Sequence, residues 1–357
     1  MDTQTKVKLA RNEFPVAGKG TYLNTASLGT ISKTYAQVLK ACIQIDLENG
    51  RAVLQRYERA AAAATRVCAE LARLVNAKPE QLLLTNSTGD GLRAVIESFS
   101  WHPGDEIITT NAEHSACLDP LNSAAKRNGL RILFARLPEE PEQSLEWLTN
   151  QFTNRTKLIA ISAVDYKTGR RLPVEEIASI ARKRNVKTLI DAAQCLGGAP
   201  LNLGDSSIDF CAMPLQKWLC GPQGLGVLYN ASSKHALLRD RVPYDWCTLE
   251  ATAAHLEWLT KNLDWAWILE RTSMLANYAH SQIQNLPNWN TPNSSVESGI
   301  VTLQANTEIC ALGATALTES GFTFRYIPEH RYVRISTAFF NSEDDIDNLL
   351  TVLAGAG

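Results

Sequence analysis

The chain has 357 residues, 45% apolar and 20% charged, which excludes intrinsic disorder and suggests two domains or one large domain with an appendage. Lys+Arg 35 against Asp+Glu 37 gives a formal net charge of −2, so there is no basic field to grip a phosphate backbone and nucleic acid is not an expected partner. No run of about 18 apolar residues occurs, and the opening MDTQTKVKLARNEFPVAGKG lacks an apolar signal stretch, so a cytoplasmic protein without a membrane partner is expected.

Ser32 reads as an N-cap, KTYAQVLKACIQIDLEN carries apolar residues at helical spacing, and Gly50 stands where that helix stops. The Ala-rich RYERAAAAATRVCAELARLVNA predicts a second helix. From residue 81 short apolar runs alternate with helical patterns. QLLLT is followed by a helix from about 89, EIITT by one from about 114, and RILFARL by one over SLEWLTNQF. KLIAISAV, the helical VEEIASIARKR, KTLIDAA, DFCAMP and GLGVLYN continue the series. Such alternation predicts a mostly parallel sheet with helices on both faces. Ligands then sit at the carboxyl ends of the strands. After Asn230 the alternation stops: 249–286 reads as one or two helices, and PNWNTPNSSVE is a polar connection. The strands GIVTLQA, FTFRYI and RYVRISTA, with helices over TEICALGATALTES and EDDIDNLLTVLAG, have the pattern of a small α+β domain. The expected organisation is a segment 1–20 packing with the small domain, a large α/β domain 21–248, connecting helices 249–286 and a small domain 287–357.

The eight cysteines show no C-x-x-C and no paired spacing, so they read as reduced, mostly buried thiols. The six histidines form no i, i+4 pair and no H-E-x-x-H, and no metal is assigned. Asp191 follows KTLI and should project into the crevice at the strand ends. Lys217 follows DFCAMPLQ and is flanked by Leu215 and Trp218. In that apolar setting its amine would be a nucleophile for carbonyl chemistry; the alternative is a surface lysine. His114, after EIITT, could stack on a planar ligand, carry a proton or be structural. Ser87, Thr88, Gly89 and Asp90 open a helix after QLLLT and could cradle a phosphate, as could any N-capped helix start. Arg334 could pair with a carboxylate or be a solvated strand charge.

The order of these elements resembles the class V aminotransferase group of fold-type I pyridoxal-phosphate enzymes, which includes cysteine desulfurases, cystine and ergothioneine-type C–S lyases and isopenicillin N epimerase-like proteins. The resemblance runs from YLNTASLGTI (22–31) to the C-terminus and is strongest in LIDAAQCLGGAPLNLGDSSIDFCAMPLQKWLCGPQGLGVLY (189–229), where KW-C-GP-G-G follows 26 residues after the Asp of DAAQ. It implies an α/β fold with a mostly parallel central sheet and a smaller C-terminal α+β domain, with pyridoxal 5'-phosphate as cofactor. Lys217 would form the internal aldimine and shuttle the substrate α-proton. Asp191 would hold the pyridinium nitrogen protonated. Gln194 would reach the ring 3'-oxygen and His114 would stack over the ring. Thr88 with the amides of Gly89 and Asp90 would bind the phosphate. Arg334 would take the substrate α-carboxylate, with Ala26 and Ser27 closing over it.

The sequence departs from the group at several of these positions. Pro214 stands where a Ser or Thr usually offers the phosphate a hydroxyl, Gln216 stands where His usually precedes the lysine, and Lys167 stands where many members have Asn. The segment after Tyr229 is short and lacks a Gly-Thr. No cysteine occurs between Gly321 and Arg334, which disfavours a persulfide-relay cysteine desulfurase. The expected reaction is β-elimination on a cysteine-derived amino acid by a homodimer. An aminotransferase or epimerase, a desulfurase and a catalytically silent binding protein are the alternatives.

Overall fold

In a computed structural model of the chain the described residues are 1–135, 145, 150–232 and 245–355. Most of the helix expected over SLEWLTNQF lies outside them. In chain order the helices are α1 (Thr3–Glu13), α2 (Lys33–Asn49), α3 (Leu54–Leu74), α4 (Thr88–Ser98), α5 (Ser115–Asn128), α6 (Val174–Lys183), α7 (Trp246–Asn262), α8 (Trp265–Ile283), α9 (Thr307–Glu319) and α10 (Glu343–Gly355). The strands are β1 (Thr21–Tyr22), β2 (Leu82–Thr85), β3 (Glu106–Thr110), β4 (Arg131–Ala135), β5 (Thr156–Ser162), β6 (Lys187–Asp191), β7 (Phe210–Pro214), β8 (Gly226–Asn230), β9 (Ile300–Gln304), β10 (Phe322–Thr323), β11 (Arg325–Ile327) and β12 (Tyr332–Ser336).

Local chemistry explains the element ends. Ser32 accepts a hydrogen bond from the Tyr35 amide at the start of α2, and Gly50 closes it at φ 76°. The stretch expected as one or two helices is two. Asp264 adopts φ 74° between α7 and α8 and caps α8 through the Ala266 amide. FTFRYI, read as one strand, is divided: Phe322–Thr323 pairs with β1, and Arg325–Ile327 pairs with β12. The pairing partner, not the residue pattern, makes that division.

The main sheet has seven strands in the order β2-β8-β7-β6-β5-β3-β4. Only β8 runs against its neighbours, so the sheet is mostly parallel, as expected. Apart from the edge strand β4, which is partly exposed, its strands are largely buried on both sides because helices cover both faces. Ile107, Leu158 and Leu189 pack with Leu92, Val95 and Leu121 of α4 and α5. Ile108, Ile159 and Ile190 point the other way, toward Val67, Leu71, Ile177 and Leu256. The alternation of adjacent Ile107 and Ile108 is the period-2 geometry of a strand. From β3 the chain adds β4 on one side and then β5, β6 and β7 on the other. The direction therefore reverses between β3 and β5, and the crevice at their carboxyl ends is the topological switch point.

The C-terminal part folds around an antiparallel sheet in the order β11-β12-β9. Its core joins Leu275, Leu303, Leu317, Val333, Ile335 and Leu349. The N-terminus ties the two regions together. Lys6 Nζ donates to the Leu263 carbonyl, Arg11 reaches Asp345 and the Phe340 carbonyl, and Phe14 packs on Phe339 and Phe340.

Candidate active site

A cavity of about 700 Å³ opens at the carboxyl ends of the parallel strands. Ala26, Ser27, Thr88, Gly89, His114, Asp191, Gln194, Gln216, Lys217 and Arg334 all line it, with Pro214 and Lys167. These residues come from loops, strands and a helix start that lie as far apart in the chain as Ala26 and Arg334. Asp90 is the exception: its amide donates to Ser87 Oγ, its carboxylate accepts from the Asn86 amide, and it does not line the cavity. The helix N-cap uses the amide that the resemblance assigned to phosphate.

Asp191 ends β6 and is 4% exposed. Burial raises its pKa, opposed by Lys217, by a 2.9 Å hydrogen bond from the Ala193 amide and by His114. Lys217, on the turn after β7, is lowered to about 8 by burial, against the attraction of Asp191 and with a further push from Arg334. Roughly a tenth of its amine is therefore neutral at pH 7, far more than for an ordinary lysine at 10.5, and the neutral amine is the nucleophile toward a carbonyl. His114 caps α5 with Nδ1 accepting from the Ala116 amide at 3.1 Å. That bond leaves its proton on Nε2. Burial and Lys217 lower its pKa. Its ring stands edge-on to Tyr166, with centroids 5.2 Å apart.

Arg334 is 3% exposed in β12. Its Nη1 donates to the Tyr166 carbonyl at 2.5 Å and its Nη2 to Ser27 Oγ at 2.6 Å, and Nε has no partner. No carboxylate lies within ion-pair distance of this guanidinium among the described residues, and burial together with Arg325 lowers its pKa to about 10. A buried cation without a counter-ion is costly unless a ligand supplies one. Gln194 donates to the Ala26 carbonyl and accepts from Trp218 Nε1, which fixes its amide between the two loops.

Sequence reasoning missed several residues here. Glu113, adjacent to His114, is buried and accepts 2.5 Å hydrogen bonds from Thr110 Oγ1 and Ser162 Oγ. Burial is the main reason its pKa rises to about 7. Tyr166, Ser162, Arg325, Ile327, Glu329 and His330 complete the walls. Gly29, in the loop after Ser27, is a further residue of this kind. A Cβ there would fall 2.1 Å from the Lys217 carbonyl, and the Gly29 amide donates to the Gln216 carbonyl at 2.6 Å. The bare backbone lets loop 24–30 clamp the Lys217 turn. Gly198 and Gly299 likewise leave room for the Trp218 ring, within 2.5 Å of where their Cβ atoms would be.

The family model described as aminotransferase class-V matches residues 23–240. The chain belongs to the aminotransferase class-V family. A cysteine desulfurase of Serratia proteamaculans is 30% identical over 252 residues, 67% of this chain and 61% of the relative. A probable cysteine desulfurase of Synechocystis sp. is 28% identical over 247 residues, 66% of this chain and 57% of the relative. The matched part thus spans about three fifths of the length of these curated relatives. Among solved structures, the cystine C–S lyase C-DES in complex with its reaction product cysteine persulfide has a TM-score of 0.88 at 22% identity, covering 96% of this chain and 100% of that one. The cysteine desulfurase CsdA of Escherichia coli has a TM-score of 0.84 at 21% identity, covering 98% of each chain. At such identities the likeness is one of fold.

The site of this class-V chain fits pyridoxal phosphate. Thr88 and Gly89, whose first-turn amides have no partner within α4, line the cavity. A side chain at Gly89 would stand 3.5 Å from Ala116 Cβ, in space the glycine leaves free. The buried Gln216 Oε1 has no hydrogen-bond partner, so this amide end is open to a ligand. Asp191 suits a ring N–H and Lys217 an aldehyde carbon. Pro214 supplies no hydroxyl, so the phosphate end has fewer side-chain donors.

Proposed function

We propose that the chain is a pyridoxal-phosphate enzyme that breaks the C–S bond of a cysteine-derived amino acid by β-elimination. The observation that carries this reading is Lys217: an amine lowered to about 8, in one cavity with Asp191 and Arg334. Pyridoxal phosphate bound there supplies an electron sink for charge left on the substrate α-carbon. Lys217 would hold the cofactor, and its Nζ would take the substrate α-proton. Asp191, buried yet opposite a cation, holds a proton at the ring nitrogen. His114 covers the ring face, Thr88 and Gly89 bind phosphate, Gln194 and Gln216 offer amides at the ring edge, and Arg334 takes the α-carboxylate. Loss of the sulfur group, followed by hydrolysis, yields pyruvate, ammonia and the thiol-bearing fragment.

The cysteines support elimination over a persulfide relay. All eight are free, seven buried and Cys68 half-buried, and none lines the cavity. Burial pushes their thiols up, Cys68, Cys195 and Cys220 to about 12. A persulfide carrier needs the opposite: an accessible thiol of low pKa. The desulfurase names of the curated relatives keep the second reading in view.

A homodimer is part of the proposal. Leu28, Ile31, Ile43, Leu47, Leu54 and Tyr57, in the loop after Ser27, on α2 and at the start of α3, are exposed apolar residues. An apolar face of this kind suits a second copy. The reading is tested by adding pyridoxal phosphate, reducing with borohydride and mapping the adduct to Lys217, then following S-substituted cysteines. Pyruvate from S-substituted cysteines identifies the lyase, alanine formed when free cysteine is supplied instead would identify a desulfurase, and absence of an adduct would overturn both.

A further inference from the structure

We propose that Thr302 is a positioning residue for the substrate carboxylate site. With its cross-strand partner Arg334 it grips the loop that follows β5, and it thereby fixes the guanidinium that meets the α-carboxylate. This role rests on the reading of Arg334 as the holder of that carboxylate and deepens it.

Four successive carbonyls of the loop, from Tyr166 to Gly169, each accept a hydrogen bond from a side chain of the C-terminal part. Arg334 Nη1 donates to Tyr166 at 2.5 Å, Thr302 Oγ1 to Lys167 at 2.6 Å, Asn293 Nδ2 to Thr168 at 2.8 Å and Ser298 Oγ to Gly169 at 2.9 Å. The Arg171 amide continues the seam by donating to Glu297 Oε2 at 2.8 Å. The loop spends its own donors internally. The Lys167 amide and the Thr168 hydroxyl donate to the Asp165 carboxylate, the Gly169 amide to the Asp165 carbonyl and the Asp165 amide to the Arg170 carbonyl. Its remaining carbonyls therefore take donors from another part of the chain. Gly169, at φ 81°, allows the contact to be close: a Cβ there would fall 2.7 Å from the Ile300 carbonyl oxygen.

Register singles out Thr302 within this seam. Thr302 of β9 and Arg334 of β12 are directly opposed, so their side chains project from the same face of the sheet. They hold adjacent carbonyls of one loop. Both are buried, at 2% and 3% exposure. The β-branched Thr302 has few rotamers, and its hydroxyl is a short strut from the sheet to Lys167. Without that strut the neighbouring Tyr166 carbonyl is free to shift, and Arg334 Nη1 loses a fixed anchor. Ser27 holds only Nη2. A guanidinium pairs with a carboxylate through a planar fork, so freedom in the fork before binding weakens the pair.

The test is calorimetry on the cofactor-loaded protein with L-norleucine and 1-aminopentane. The two share one alkyl chain and one amine, and only norleucine has the carboxylate. The native chain is expected to bind norleucine about 10-fold or more tightly than aminopentane. Thr302→Val should weaken norleucine about 3- to 10-fold and leave aminopentane within about twofold, and Thr302→Ser, which keeps the hydroxyl, should restore most of the loss. Asn293→Ala, on the half-buried edge of the seam, should act on norleucine alone by a smaller factor. Equal weakening of both ligands, or no weakening of norleucine in either variant, overturns the positioning role and leaves Arg334 as the carboxylate site. Equal binding of the two ligands by the native chain overturns both. Failure to cleave S-substituted cysteines with the selective loss present overturns the lyase reading and leaves the positioning role standing.

Discussion

Glu113 and Ser162 are joined by a 2.5 Å hydrogen bond across the ends of β3 and β5, the two strands between which the sheet reverses direction. Ser162 is the register partner of Asp191, and Glu113 precedes His114. One buried carboxyl thus pins the turn that presents His114 to the strand ends that present Asp191. Its pKa is raised to about 7, so the folded protein keeps a proton there that the unfolded chain has lost above its ordinary value of 4.5. The folded state binds more protons between those values, and this group's contribution to stability falls as pH rises through the window. Glu113→Gln cannot ionise. Relative to the native chain, its urea midpoint is expected to rise between pH 5 and pH 8; a constant difference across that range would refute the assignment.

Lys217 makes the second prediction. Its folded pKa of about 8 is below the ordinary lysine value of 10.5, so the neutral amine accumulates as pH rises through 8. Capture of pyridoxal phosphate by the cofactor-free protein should accelerate from pH 6 to about 8.5 and then level off, as followed by stopped-flow absorbance. Lys217→Ala should yield no borohydride-stable adduct and lower turnover by about 10²–10⁴-fold.

Arg334 is oriented by Ser27 Oγ and the Tyr166 carbonyl. Arg334→Gln is expected to raise KM about 10- to 100-fold, the range for loss of a charged hydrogen-bonding partner. Ser27→Ala, which leaves the guanidinium present but held on one side, should raise KM by a smaller factor. Steady-state kinetics on one substrate separates the two, and equal effects would mean that Ser27 contacts substrate itself.

Gly29→Ala places a methyl group 2.1 Å from the Lys217 carbonyl oxygen. Relief requires moving the loop or the lysine turn. A destabilisation of about 1–3 kcal/mol is expected, with a shifted visible band in the loaded protein. Thermal melts and absorbance spectra check both, and a native-like spectrum would show that the loop moves without the lysine.

The persulfide question has its own measurement. Under native conditions iodoacetamide is expected to label all eight cysteines slowly at pH 7.5, because burial raises their thiols. One cysteine labelled rapidly, whose replacement by Ser abolishes turnover, would favour the desulfurase reading.

Much of this molecule is written locally. The α2 caps, the apolar runs of β2 to β8 and the strand-end positions of Asp191 and Lys217 follow from helix termination, β-periodicity and the geometry of a parallel sheet, all properties of short segments. The order of DAAQ and KW along the chain marks the family because a fold that converges residues on one cofactor constrains their spacing. What a segment cannot encode is who its neighbour is. The partition of FTFRYI depended on β1 and β12, the burial of Glu113 on Ser162 arriving from β5, and the need for Gly29 on the Lys217 turn pressing against it. Asp90 looked like a phosphate ligand until Ser87 took its amide. Hydrogen bonds and close packing between distant residues arise only when the chain is folded. The tertiary structure therefore decided the charge balance of the cavity, while the sequence by itself determined which chemical types were available to it.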